Sequence, residues 1–213
     1  MKDLTVYGGS RGKHQGSESN CFDGTEKHNA MKKKLTPTPC GLRIRPGVGS
    51  DSLCLGVLAT QVFLDTYATH GINADLANEA LQVYSSAAFE VRMATPQIEI
   101  TVAEADSNLV GFLDLQADST CPISTVAGPE VRRLYVQSPF QRKGLGRKLL
   151  EVAEARVHRL GASSIWLTAW VGNPSALAFY PAVGYVDVGT TEYVINGKSY
   201  ENRVFAKALR SVQ

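Results

Sequence analysis

Between a β-like run, Val131 to Val136, and a helix-like run ending near Leu160 lies the stretch Gln141-Arg142-Lys143-Gly144-Leu145-Gly146-Arg147. A strand, a glycine-containing basic loop and a helix start together constrain the chain strongly. A helix N-terminus presents backbone N–H groups with no intrahelical partner and carries the positive end of the helix dipole. Glycines let that backbone approach a bound group closely, so the segment reads as an anion site, most naturally for phosphate. It is not a P-loop, because the Gly-Lys-Ser/Thr ending is absent, and it lacks the third glycine of a dinucleotide fingerprint.

The flanking pattern gives the fold class. Gly41 to Arg45 alternates and reads as a first strand ended by Pro46. Ser50 or Asp51 caps a helix reaching about Thr69, Asn73 caps a second over Ala74 to Tyr84, and Ser86 a third over Ala87 to about Thr95, where Phe89 to Met93 could also be extended. The period then drops to two. Ile98 to Val102 and Leu109 to Leu115 read as strands joined by an Asp106-Ser107-Asn108 turn, and residues 117–129 as a loop. After the basic loop, Leu145, Leu149, Val152 or Ala153, Val157 and Leu160 form one helical stripe that Gly161 stops. Ile165 to Val171 is nearly continuous in apolar residues and reads as a central strand, with Trp166 and Trp170 on one face, assigned to the core. Asn173-Pro174 opens a short helix ended by Gly184, and Asn196-Gly197 joins the last two strands, Tyr185 to Ile195 and Ser199 to Leu209. This order predicts an α/β fold with helices packed on a mixed sheet.

Charge separates the chain into two parts. Residues 1–34 carry seven Lys or Arg against four Asp or Glu, while the remainder carries 15 against 16. A nucleic-acid-binding body would be basic, so that class is disfavoured. Residues 1–40 are poor in apolar residues and read as a disordered extension, leaving residues 41–213 as one domain. Met31-Lys32-Lys33-Lys34 equally allows an alternative start there. No run is apolar enough to span a membrane, and the N-terminus lacks the apolar core of a secretory signal. The four cysteines, Cys21, Cys40, Cys54 and Cys121, show no metal-ligand spacing and read as reduced thiols of a cytoplasmic protein.

Four segments, in this order and at this spacing, resemble the GCN5-related N-acetyltransferase (GNAT) family: Leu134-Tyr135-Val136, Gln141 to Gly146, Asn173 to Tyr180, and Val183-Gly184-Tyr185. The resemblance covers roughly residues 41–210. It implies a mixed, mostly antiparallel sheet in which two strands splay to form a cofactor slot. It further implies acyl transfer, usually acetyl, from coenzyme A to an amine, with no metal. Gln141, Arg142, Lys143, Gly144, Leu145, Gly146 and Arg147 match the pyrophosphate-binding segment. The backbone of Leu134, Tyr135 and Val136 would run beside the pantetheine arm and polarise the thioester carbonyl. Asn173 matches an asparagine that contacts that arm, and Tyr180 the tyrosine that protonates the departing thiolate. Asn173 also reads simply as an N-cap, and Tyr180 as a core aromatic.

No His–carboxylate pair stands out as the base that deprotonates the amine. Glu130 matches an acidic position frequent in related enzymes and could act through a water, or be a solvated strand-end carboxylate. Glu99 and Asp114 are secondary candidates, and His70 and His158 read as structural. Val62-Phe63-Leu64-Asp65-Thr66-Tyr67 and the closing hairpin resemble bacterial polyamine acetyltransferases related to spermine/spermidine acetyltransferase. That implies a polyamine-like acceptor, with Asp65 either meeting a cationic amine or standing as a solvated helix carboxylate. No cysteine is placed to demand a covalent intermediate, so the amine is expected to attack the thioester directly in a ternary complex. Aminoglycoside, amino-acid and protein amines remain alternatives, as does a non-catalytic acyl-CoA sensor. The resemblance leaves a homodimer open, with no interface marked in the sequence.

Overall fold

The computed structural model describes residues 41–195 and 197–209. The expectations for residues 1–40, including a start at Met31, and for Asn196 fall outside those residues. In chain order the elements are β1 (Leu42–Pro46), α1 (Ser52–Tyr67), α2 (Ala74–Val83), α3 (Ser86–Ala94), β2 (Ile98–Ala105), β3 (Asn108–Gln116), β4 (Glu130–Val136), α4 (Leu145–Arg159), β5 (Ser164–Trp170), α5 (Pro174–Ala182), β6 (Val186–Ile195) and β7 (Lys198–Ala208). The strands form one sheet in the order β1-β2-β3-β4-β5-β7-β6. Every neighbouring pair is antiparallel except β4 and β5, which run parallel. This is the mixed α/β sheet expected from the element order.

Each face of the sheet carries its own apolar cluster. On one, α4 and α5 bury Leu145, Leu149, Ala153, Val157 and Tyr180 against Leu113, Leu115, Val131, Ile165 and Phe205. On the other, α1 to α3 bury Leu55, Leu58, Phe63, Leu76 and Phe89 against Ile100, Val102 and Phe112. In α4 the open choice between Val152 and Ala153 resolves to Ala153, which is buried, while Val152 and Leu160 are exposed.

Local signals explain most boundaries. Asn73 Oδ1 accepts from Leu76 N–H and Asn173 Oδ1 from Ala176 N–H, so both expected N-caps form. The third helix is capped one residue earlier than expected, by Ser85, whose Oγ accepts from Ala88 N–H. Asp51 precedes α1 but makes no cap bond. Its carboxylate takes Arg45 in two contacts and Val48 N–H instead, since a guanidinium fork outbids a single amide. Asp106 and Ser107 both adopt positive φ, the geometry that closes a two-residue hairpin. Pro46 is included in β1, which it can be because β1 is an edge strand.

Two register shifts re-aim side chains. Ala103 faces Gly111 but Glu104 faces Leu109, so Val110 is an extra residue in β3. Asp114 faces Arg133 but Leu115 faces Val131, so Arg132 is an extra residue in β4. Beyond that bulge the parity of β4 inverts. Val131, Leu134 and Val136 pack with the α4 cluster, and Tyr135 packs with the α1–α3 cluster.

Strands β4 and β5 pair only at Glu130↔Trp166 and Val131↔Leu167, then part. The pairing is fixed by the chain just before β4. Trp166 N–H donates to Pro129 O, and Trp166 Nε1 donates to Gly128 O. Gly128 has φ 122°, and a Cβ there would lie 2.1 Å from Ser164 O. Gly128→Ala is therefore expected to destabilise the protein by about 2–3 kcal/mol. Gly49→Ala, where a Cβ meets nothing within 4 Å, should stay near wild type. Urea denaturation of the two variants checks this.

Candidate functional site

The parting of β4 and β5 leaves backbone groups unpaired. Gln137 N–H reaches Val110 O on β3, so strand alternation turns the N–H groups of Leu134 and Val136 to the opposite edge, toward β5. Gln141 Nε2 donates to Val136 O at 2.8 Å and ties the following loop to that edge. Arg142 (φ 57°) and Gly144 (φ 80°) then take left-handed conformations on either side of Lys143. Such an alternation gathers successive N–H groups into a concave cradle. Helix α4 starts at once, with no side-chain cap. Its first backbone bond runs from Lys148 N–H to Gly144 O, so the N–H groups of Leu145, Gly146 and Arg147 are not used by the helix. Gly146 fits where α4 meets α5, since a Cβ there would lie 3.3 Å from Phe179 Cζ.

These groups open into one cavity of about 1210 Å³. Glu130, Leu134, Tyr135, Val136, Gln141, Arg142, Gly144, Gly146, Arg147, Asn173 and Tyr180 all line it. Two of the expected binding residues do not. Lys143 Nζ lies 5.6 Å over the Phe140 ring, and Leu145 is buried in the α4 cluster. Among the other candidates, Asp65 and His70 line the cavity. Glu99 and Asp114 do not. Glu99 holds Arg156 through both carboxylate oxygens, and His158 lies at the far end of α4.

Tyr180 is buried among the rings of Phe179, Tyr185 and Phe205. Burial, with a smaller contribution from Tyr67, pushes its phenol well above the ordinary tyrosine range, so it keeps its proton throughout neutral pH. Glu130 lies at the paired end of β4, where Ser119 Oγ donates to its Oε2 at 2.6 Å.

The cavity wall toward α1 and α2 is aromatic and acidic. The Tyr67 ring lies tilted against Trp170 with centroids 5.2 Å apart, and Tyr200 meets Trp170 edge-on at 6.4 Å. Trp166 is core, as expected, but Trp170 lies beyond the splay and forms cavity wall instead. Burial, then Tyr84 and Tyr193, push the Tyr67 phenol up to about 12. Tyr193 OH donates to Glu79 Oε1, linking the β6–β7 hairpin to α2.

Arg133 also lines this wall. Its Nη1 donates to Asp114 Oδ2 at 2.7 Å, and its guanidinium lies over the Tyr84 ring. Asp114 is fully buried, has Arg92 Nε 3.9 Å away, and its Oδ1 has no partner among the described residues. The sequence reading missed Ser119, Glu79, Tyr200 and the Arg133–Asp114 pair. Two arginines inside a strand, Arg132-Arg133, were the available signal, because a cation in a sheet requires a partner. Among the described residues, no cluster of three His, Cys, Asp or Glu stands where a metal could bind. No helix among them is long and apolar enough to cross a membrane.

Residues 63–200 match the family model described as an acetyltransferase (GNAT) domain. The chain belongs to the GNAT family of N-acetyltransferases. An uncharacterized N-acetyltransferase in the pepI 3′ region of Lactobacillus delbrueckii subsp. lactis is 26% identical over 153 residues, 71% of this chain and 88% of that protein. The GNAT fold is seen in the PaiA N-acetyltransferase of Thermoplasma acidophilum, solved in complex with coenzyme A. Its TM-score is 0.65 at 22% identity, over 79% of this chain and 99% of that one. It is seen also in yncA of Salmonella typhimurium, solved with acetyl-CoA, with a TM-score of 0.57 at 19% identity over 79% and 94% of the two chains.

In this GNAT enzyme Arg133 lines the cavity and Asp114 lies buried behind it. Asp114→Ala would leave the Arg133 and Arg92 guanidiniums side by side without the carboxylate they share, and is expected to lower stability by about 3–5 kcal/mol. Adding Arg133→Met should recover part of that loss. Denaturant melts of the single and double variants measure both.

Proposed function

We propose that this N-acetyltransferase takes its acetyl group from acetyl-CoA and passes it directly to a primary amine of a small, polyamine-like molecule. One observation carries the reading: a single cavity joins the uncapped α4 N-terminus to Tyr180 and Glu130 through the gap between β4 and β5. The donor set suits coenzyme A. The free N–H groups of residues 145–147, with Arg142 and Arg147 beside them, match a pyrophosphate, and the parted strand edges leave room for an extended arm. The coenzyme A and acetyl-CoA bound in the PaiA and yncA structures support the same donor.

Bound acetyl-CoA supplies an activated thioester. Glu130 receives the proton of the incoming ammonium, through a water where the distance requires one. The Leu134 and Val136 N–H groups, already aimed into the slot, stabilise charge growing on the carbonyl oxygen. Tyr180 gives its proton to the departing sulfur, and its burial keeps that proton available at working pH. Asn173, besides capping α5, lines the slot where the pantetheine amides would lie. The free thiols of Cys54 and Cys121 fit the cytoplasmic setting that goes with this reading.

The acceptor end favours a cation. Asp65, Glu79 and Glu130 supply carboxylates, and the Tyr67, Trp170 and Tyr200 rings supply π-faces, while of the nearby lining arginines Arg133 is paired with Asp114 and Arg132 donates to Gln116 Oε1.

Tyr180→Phe should lower kcat about 100-fold and leave the acetyl-CoA dissociation constant within about twofold, read by stopped-flow thiol release and by calorimetry. Wild-type turnover in that variant removes the acid role. In an amine panel, 1,4-diaminobutane and longer polyamines should be acetylated in preference to amino acids and aminoglycosides. Glu79→Gln should raise KM for the diamine about tenfold. Binding of acetyl-CoA with no acceptor accepted would turn the reading toward a sensor.

A further inference from the structure

Glu130 is held in place from outside the strand. The donor is Ser119, on the β3–β4 connection and eleven residues before it, whose Oγ donates to Oε2 at 2.6 Å. That connection has a small core of its own. Cys121 is buried against Trp166 and Val204, and Ile123 and Val126 pack on the same cluster. Its far end is pinned to the start of β5 by the Trp166 Nε1 to Gly128 O bond and by the Ser164 Oγ to Ala127 O bond. The position of Ser119 relative to β4 is therefore set by packing, not by chance contact of two mobile side chains.

The chemistry of the pair follows from its donor count. A serine hydroxyl has one proton, and here it goes to Oε2. The other carboxylate oxygen keeps its lone pairs for an incoming donor. A glutamate on a strand otherwise samples several rotamers, and fixing one requires such a contact. Glu130 also stands at one of the two places where β4 and β5 still pair, so its backbone is fixed as well.

We propose that Ser119 is a positioning residue, which orients the Glu130 carboxylate so that Oε1 faces the acceptor amine or its relay water. The inference rests on Glu130 being the base, as proposed above. The ammonium proton moves to Oε1 before the N–C bond forms, and Ser119 keeps its own proton throughout. The second N–H proton, lost as the amide forms, makes good the one that Tyr180 gives to the departing sulfur.

The test uses the full-length enzyme, acetyl-CoA and 1,4-diaminobutane, with kcat and both KM values measured from neutral pH to about pH 10, near the amine's own pKa. Ser119→Ala should lower kcat about tenfold at neutral pH, with KM for acetyl-CoA unchanged, which also shows that the variant is folded. Ser119→Thr, which keeps the hydroxyl, should restore the rate. Glu130→Gln should lower kcat more, and its deficit should shrink toward pH 10, where the amine sheds its proton unaided. On the Glu130→Gln background, Ser119→Ala should cost nothing further. Wild-type kcat in Ser119→Ala, or a second tenfold loss on top of Glu130→Gln, overturns the positioning role while leaving Glu130 as base. Wild-type kcat in Glu130→Gln overturns the base assignment itself.

Discussion

The short parallel pairing of β4 with β5 is the constraint on which the rest of the site depends. Two residue pairs are enough to keep the sheet continuous, and the chain leading into β4 locks them with a glycine laid against Ser164. Past Val131 and Leu167 the strands separate, exposing backbone that would otherwise be satisfied by its neighbour. Unpaired amide groups in a cavity wall are costly unless something binds them, so a gap of this kind belongs with a ligand that carries hydrogen-bonding groups along its length. Helix α4 extends the same logic, because its start is left without a capping side chain at the cavity edge.

The cavity is electrically lopsided. Helix N–H groups with Arg142 and Arg147 stand at one end, and Asp65, Glu79 and Glu130 toward the other, where Arg132 is held by Gln116 and Arg133 by Asp114. Under the proposed function, the anionic donor and the cationic acceptor enter from opposite ends and meet between Glu130 and Tyr180. The Arg133–Asp114 pair prevents a buried arginine from spoiling that polarity at the acidic end, which accounts for a carboxylate kept wholly out of water.

Features governed by one or two residues were legible in the sequence. The Asn73 and Asn173 caps, the α4 stripe and the positive-φ turn at Asp106-Ser107 each depend on local chemistry. The GNAT resemblance named residues of β4, the basic loop and α5 that line the cavity, because that family's segments are themselves local. What escaped depends on tertiary register. The bulges at Val110 and Arg132 break the two-residue period and send Arg133 opposite Asp114, where simple alternation would not. Trp170 shares a face with Trp166, yet it lines the cavity because β4 has already left β5 at that point. Ser119 was invisible because its loop is fixed by contacts to Trp166 and Val204, far along the chain.

The link from the β6–β7 hairpin to α2 joins residues very distant in sequence: Tyr193 with Glu79, and Lys198 with Asp75. The donor half of the cavity is drawn mostly from one contiguous segment, 130–180, whereas the acceptor wall needs both an early helix and the last strands. Strand β7 of that hairpin also holds β5 at seven positions, against the two held by β4, so the hairpin carries the far wall of the slot as well. Under the proposed function, a change at Tyr193 or Glu79 would alter which amine fits, whereas a change in the β7 core, such as at Phe205, would reach Tyr180 and the acyl-donor side as well.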